Sequence, residues 1–244
     1  MRTTKTFRLI THKTTLLSII FSLFSILCAA QWHAGTVLKA TDIDNDNLGL
    51  YFSAQPVNDT VFARIWLKSF KRDCSTKRDD LRYLQVLHIN KDGLPQTGEL
   101  ICNKAIADDL LDIFRQLYLC GYRIEKMLLI DNYDADDETS MADNNTSCFN
   151  FRKIAGSDQP SLHGRGLAID INPLYNPCIN KRTGLVQPAN GKRHAFHRTN
   201  RAKQPIRYID PSDLCYKLFM QHGFFWGGNW KTVHDYQHFE KKNP

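Results

Sequence analysis

The sequence predicts an α+β fold with a small central antiparallel sheet and flanking helices, and three observations carry that prediction. Two strand-like runs, Leu81–Asn90 and Thr97–Cys102, are separated by Lys91-Asp92-Gly93, the pattern of a β-hairpin. The period then changes: Ile106, Leu110, Ile113, Phe114 and Leu117 recur at i, i+4, i+7, i+8 and i+11, which lines one face of a helix. Short apolar segments suited to strands return at Ile124–Asp131, Leu167–Ile171 and Tyr236–Phe239.

The first helix has its boundaries written beside it. Asn103 is placed to cap it, Asp108 and Asp109 suit the positive end of the helix dipole, and Gly121 suits its end. A second helix is expected from Asp210-Pro211, as N-cap and first turn, through Leu214, Leu218 and Phe219 to His222, with Gly223 closing it. The stretch from Asp131 to Asn145 is acidic, without Lys or Arg, and reads as a loop.

Residues 1–30 have a different character. Arg2, Lys5, Arg8 and Lys13 precede the apolar run Leu16–Leu27, which ends in Cys28-Ala29-Ala30. This is the pattern of a secretory signal peptide cleaved after Ala30. The run is shorter than the roughly 20 residues that span a bilayer as a helix, so an exported protein without a stable membrane span is expected. Lipidation at Cys28 is disfavoured because Leu27 stands where a small residue is usual. Residues 31–60 then read as a loose N-terminal arm, with Asp42–Asp46 a solvated acidic loop, and residues 61–244 as one domain with one core.

Export alters the charge and the cysteines. The formal charge of +7 includes four basic residues of the leader, so the mature chain carries 7 − 4 = +3. Cys74, Cys102, Cys120, Cys148, Cys178 and Cys215 remain, compatible with up to three disulfides or with buried free thiols. Their spacings lack the CxxC of a structural zinc site. The eight Lys and Arg between Lys181 and Arg207 form a basic loop, suited to anionic polymer or to solvent. It lacks the interleaved aromatics of a single-strand nucleic-acid surface.

The chemistry concentrates in two segments. In Ser161-Leu162-His163-Gly164-Arg165-Gly166-Leu167-Ala168-Ile169-Asp170, a histidine in a glycine-bearing loop leads into a short apolar strand interrupted by one acid. A buried carboxylate needs a cationic partner, and either a structural His–Asp pair or a metal supplies one. Near the chain end, Asp235 stands three residues before His238, as where a ligand and an acid–base group share a segment. His163, Asp170 and His238 together make a three-ligand set for catalytic Zn2+ with the fourth position open to water. Asp235 is then the general base. His234, four residues before His238, reads as a surface or supporting residue, because the segment suits a strand rather than a helix.

These motifs resemble the M15 family of zinc D,D-peptidases, the D-alanyl-D-alanine carboxypeptidase and endolysin branch. The family's Ser-x-His-x-x-Gly-x-Ala-x-Asp pattern is complete at Ser161, His163, Gly166, Ala168 and Asp170, and its second motif falls on Asp235, His238, Phe239 and Glu240. Lesser similarities lie at Thr97–Leu100, Met141–Ser147, Phe149-Asn150-x-Arg152 and Trp226-Gly227-Gly228-x-Trp230, so that the resemblance spans about residues 60–240.

The resemblance implies a zinc site in a cleft at the sheet edge, with metal ligands His163, Asp170 and His238 and base Asp235. It also implies an oxyanion-facing Arg152, against which stands a salt bridge to the acidic loop, and a substrate-contacting Ser161, against which stands a loop-capping hydrogen bond. Glu240 is read as structural. The implied substrates are peptidoglycan stem peptides and the implied reaction is D-alanyl-D-alanine carboxypeptidase. An L-alanyl-D-glutamate or cross-link endopeptidase, or a non-catalytic zinc module binding wall fragments, stand as alternatives.

Overall fold

The computed structural model describes residues 32–154, 157–196, 198, 206, 208–242 and 244. The expected signal peptide, with Cys28, and most of the basic loop after Phe196 lie outside the described residues. The body of the protein is the unit Ala34–Pro244.

Its longest sheet forms where the hairpin is expected: β1 (Ser53–Pro56), β2 (Leu81–Ile89) and β3 (Pro95–Asn103) run antiparallel in that order. The β2–β3 register runs from Leu81 opposite Asn103 to Ile89 opposite Pro95. At the turn, the Asn90 side chain accepts from the amides of Asp92 and Leu94 at 3.0 Å, closing the loop with its own carbonyl as Asn does in turns. The stretch expected as a loose arm is tied to this sheet. β1 is its edge strand, and Gly35 and Leu38 donate to the carbonyls of Thr97 and Pro95 at 2.7 and 2.9 Å.

Helix α1 (Asp59–Ile65) is capped by Asn58 and lays Val61 and Ile65 against Leu81, Tyr83, Ile101 and Phe149. Its Arg64 grips Glu99 of β3 at 2.5 and 2.8 Å, and the Tyr83 hydroxyl donates to the same carboxylate at 2.7 Å. Glu99 is buried. An unpaired carboxylate there costs several kcal/mol; three donors offset that cost and fix α1 to the sheet.

Helix α2 (Ala107–Leu119) buries Leu110, Ile113, Phe114 and Leu117, the face its periodicity predicts. Each such side chain contributes about 1.5–3 kcal/mol. Asn103 caps the 3-10 turn Lys104–Ile106 that leads into the helix, and Gly121 ends it at φ +64°.

The strand expected at Ile124–Asp131 forms no ladder. Its amides find single partners instead: Ile89 O for Ile124 at 2.8 Å, Asn172 Oδ1 for Glu125 at 2.9 Å and Asn145 Oδ1 for Leu128 at 2.8 Å. Apolar content signalled burial correctly, but side-chain amides and isolated main-chain bonds, among them Glu99 N to Met127 O at 2.9 Å, take the place of a continuous ladder. The acidic stretch after it is not all loop, because Asp136 caps α3 (Asp137–Ala142).

In place of one central sheet there are three small antiparallel ones among the described residues. The second is β4 (Ala168–Asp170), β9 (His238–Glu240) and β7 (Phe225–Trp226), in the order β4-β9-β7. The third is β5 (Cys178–Asn180), β6 (Val186–Gln187) and β8 (Val233–Asp235), in the order β6-β5-β8. Strands of two or three residues cannot propagate a ladder across the whole domain.

The basic loop carries α4 (Lys192–Ala195), and α5 (Leu214–Gln221) follows. The α5 cap is Asp213, which accepts from the Cys215 amide at 2.9 Å, rather than Asp210. Asp210 instead closes the preceding turn through Ser212 at 2.8 Å. Phe219 of α5 stacks on Phe239 of β9 with ring centroids 4.2 Å apart, so the helix backs the strand that carries His238. All six described cysteines are unpaired, with Cys102, Cys148 and Cys215 buried. Among the described residues no helix is long and apolar enough to cross a membrane.

Candidate active site

Antiparallel pairing of β4 with β9 sets Asp170 opposite His238. His163 sits in the 3-10 turn His163–Arg165 just before β4. That turn ends at Gly166, whose φ of +67° is left-handed and whose hydrogen would be replaced, in any other residue, by a carbon 2.7 Å from Asn103 N. Gly164 keeps an ordinary φ, and a Cβ there would lie 3.0 Å from Arg152 O.

The three side chains converge. His163 Nε2 lies 3.1 Å from His238 Nδ1 and 3.3 Å from Asp170 Oδ2, and His238 Nδ1 lies 3.1 Å from Asp170 Oδ1. One ligand atom from each falls within 4.8 Å of the others. The outward nitrogens are held as well: His163 Nδ1 meets Cys148 O at 2.7 Å, and His238 Nε2 meets Glu240 Oε2 at 3.2 Å. Ligating histidines are normally oriented by such an acceptor behind the ring, so this donor set fits a divalent metal of borderline softness.

The electrostatics agree with a cation site. Burial opposes charge on Asp170, yet the two imidazoles hold its carboxyl well below the usual carboxylate range. Burial likewise opposes charge on His238, but Asp170 and Glu240 outweigh it and push the imidazole up to about 10.

Asp235 ends β8, opposite Cys178 of β5, so the four-residue segment Asp235–His238 bridges the third sheet to the second. Burial first, and then the negative charge of Asp170, raise the Asp235 carboxyl to about 6, against the opposing pull of His238 and a hydrogen bond from Gln237. Its Oδ1 is buried without a hydrogen-bond partner. A pocket of about 560 Å³ is lined by Asp235, the three convergent residues, Arg152 and Ser161.

Both readings of Arg152 and of Ser161 have geometry behind them. Arg152 Nε lies 2.7 Å from Asp137 Oδ2, the ion pair with the acidic stretch, but the N–H is not aligned for a hydrogen bond and the guanidinium stays on the pocket wall. Ser161 Oγ accepts from Gly164 N at 3.0 Å, capping the His163 turn, and leaves its O–H free to donate. His234 and His238 lie on different strands. In the segment Phe224–Trp230, Phe224 and Trp226 are core and Phe225 is exposed on the opposite face of its strand, whereas Trp230 lines the pocket with its ring 5.1 Å from His238.

Glu240, Gln237 and Cys178 also line the pocket. Glu240 follows His238 by two on one strand and therefore shares its face, a signal present in the sequence. Cys178 is brought in by strand pairing alone.

Residues 155–241 match the M15 family model described as D-alanyl-D-alanine carboxypeptidase. This similarity to the M15 peptidase family agrees with the motifs, and the matched region holds Ser161, His163, Asp170, Asp235 and His238 but not Arg152. The match is narrower than the span from about residue 60 suggested by the lesser motifs. Comparisons with curated proteins and with solved structures gave no match.

Proposed function

We propose that the protein is a zinc-dependent peptidase of peptidoglycan stem peptides, a D-alanyl-D-alanine carboxypeptidase, acting outside the cytoplasm after export by its leader. The observation that carries the reading is the convergence of His163, Asp170 and His238 beside a partnerless Asp235 oxygen, in one pocket of an M15 region.

His163, Asp170 and His238 would hold Zn2+, which when bound would supply a polarising charge for the scissile carbonyl and acidify a water. Asp235 takes a proton from the attacking water and passes it to the departing nitrogen as the C–N bond breaks. Arg152, across the pocket, faces the negative charge that grows on the carbonyl oxygen. Trp230 forms part of the pocket wall beside His238.

The test is mass spectrometry of soluble stem peptides and purified peptidoglycan after incubation with zinc-loaded and with chelator-treated protein. Chelator-sensitive loss of a terminal D-alanine is expected. Release of internal or cross-linked fragments assigns an endopeptidase instead, and no cleavage by folded, zinc-loaded protein leaves a binding module.

A further inference from the structure

A cation on the pocket wall, Lys242, takes no part in the chemistry proposed above, and it lies one residue beyond the M15 match. It follows Glu240 by two positions, as Glu240 follows His238, and the side chains meet in that order. His238 Nε2 lies 3.2 Å from Glu240 Oε2, and Glu240 Oε1 lies 3.0 Å from Lys242 Nζ. One buried carboxylate therefore separates the ammonium from the ring of a proposed metal ligand.

The two ends of that ion pair differ in exposure: the Glu240 side chain is 7% exposed and the Lys242 side chain 60%. Glu240 Oε1 has no hydrogen-bond partner, so the contact is one of charge without hydrogen-bond alignment. The ammonium is thus held beside the pocket while its N–H donors stay available to another acceptor. Arg152, which also lines the pocket, is paired with Asp137 at 2.7 Å.

Given the peptidase reading above, on which this rests, we infer that Lys242 binds the free C-terminal carboxylate of the substrate and so favours removal of a terminal residue over cleavage within a chain. The carboxylate of a terminal residue lies about 3.5 Å along the chain from the scissile nitrogen. Its partner must therefore stand close to the metal ligands, as Lys242 does. Within a longer chain the same position is a neutral amide, which offers the ammonium no opposite charge. A contact between ionised groups is roughly twice as strong as one between neutral groups. The lysine stays protonated throughout.

The test compares two D-alanyl-D-alanine peptides, identical except that one ends in a free carboxylate and the other in a carboxamide, using the zinc-loaded protein. The wild type is expected to prefer the free carboxylate. In Lys242→Met, kcat/KM on that peptide is expected to fall about 10- to 100-fold, mostly through KM, with little change on the carboxamide. Lys242→Arg keeps the charge and is expected to keep the preference. A role confined to steadying Glu240 behind His238 would lower both substrates alike. Equal losses on the two peptides in Lys242→Met, a wild type that cuts both equally well, or a preference lost in Lys242→Arg overturn the inference. Failure of the folded, zinc-loaded wild type on both peptides removes the peptidase reading itself, and this inference with it.

Discussion

His238 Nδ1 lies 3.1 Å from Asp170 Oδ1, its neighbour across the β4–β9 ladder, and that contact keeps a proton on the ring. With the imidazole pushed up to about 10, His238 is protonated through the neutral range. A metal requires the neutral ring, so binding displaces that proton. Zinc affinity is therefore expected to strengthen about tenfold per pH unit between roughly pH 6 and 9. Calorimetric titration in buffers of different ionisation heat reads the released proton directly; a pH-independent affinity with no proton release contradicts the assignment of His238 Nδ1 as ligand.

Glu240 stands behind the same ring, its Oε2 at 3.2 Å from His238 Nε2 and its Oε1 at 3.0 Å from Lys242 Nζ. Glu240→Gln keeps the shape and removes the charge that raises the basicity of the ligand. A loss of about 10- to 100-fold in zinc affinity is expected, the usual weight of an acceptor behind a ligating histidine. Competition against a chelator of known affinity measures it. Unchanged affinity returns Glu240 to the structural reading made from the sequence.

As the proposed base, Asp235 can act only when ionised. Its carboxyl is raised to about 6, so it is protonated below that pH and the rate falls as pH drops through the midpoint. A bound cation nearby favours the carboxylate, which places the acid limb of kcat/KM at or below about 6. Asp235→Asn is expected to abolish that limb and lower kcat by about 10²- to 10⁴-fold, while zinc stays bound. Unchanged turnover in this variant would falsify the base assignment.

How far the sequence reached depended on whether the determinant was local. The buried face of α2 and the turn at Lys91–Gly93 follow from residues a few positions apart, and they form where expected. Ile124–Asp131 carries the same apolar signal as a strand but is held by isolated bonds to residues distant in the chain, among them the side chains of Asn145 and Asn172. The α5 cap moved from Asp210 to Asp213 because both acids sit before the apolar run, and only the fold decides which one meets a free helix amide.

The site divides in the same way. His163, Asp170 and His238 were legible because a fixed spacing on short strands brings them to one point. Glu240 was legible in principle from strand alternation. Cys178 was not, since only the pairing of β5 with β8 brings it to the pocket and no spacing announces it.

The last relationship to test is one of space. A Cβ at Gly227 would lie 2.8 Å from Asp235 O, 3.0 Å from Asp235 Cβ and 3.2 Å from His238 Cβ. The first of these is backbone and cannot swing away, so Gly227→Ala must shift the Asp235–His238 turn by some tenths of an ångström. That turn carries both the proposed base and a proposed ligand, and displacements of this kind far exceed their size in rate, at about ten- to hundredfold. Gly49, with open space where its Cβ would stand, is the matched control. Gly227→Ala is expected to lose kcat/KM and zinc affinity together, and Gly49→Ala to lose neither. Equal behaviour of the two variants would show that the turn tolerates displacement and that its close packing against Gly227 does not set the geometry of the site.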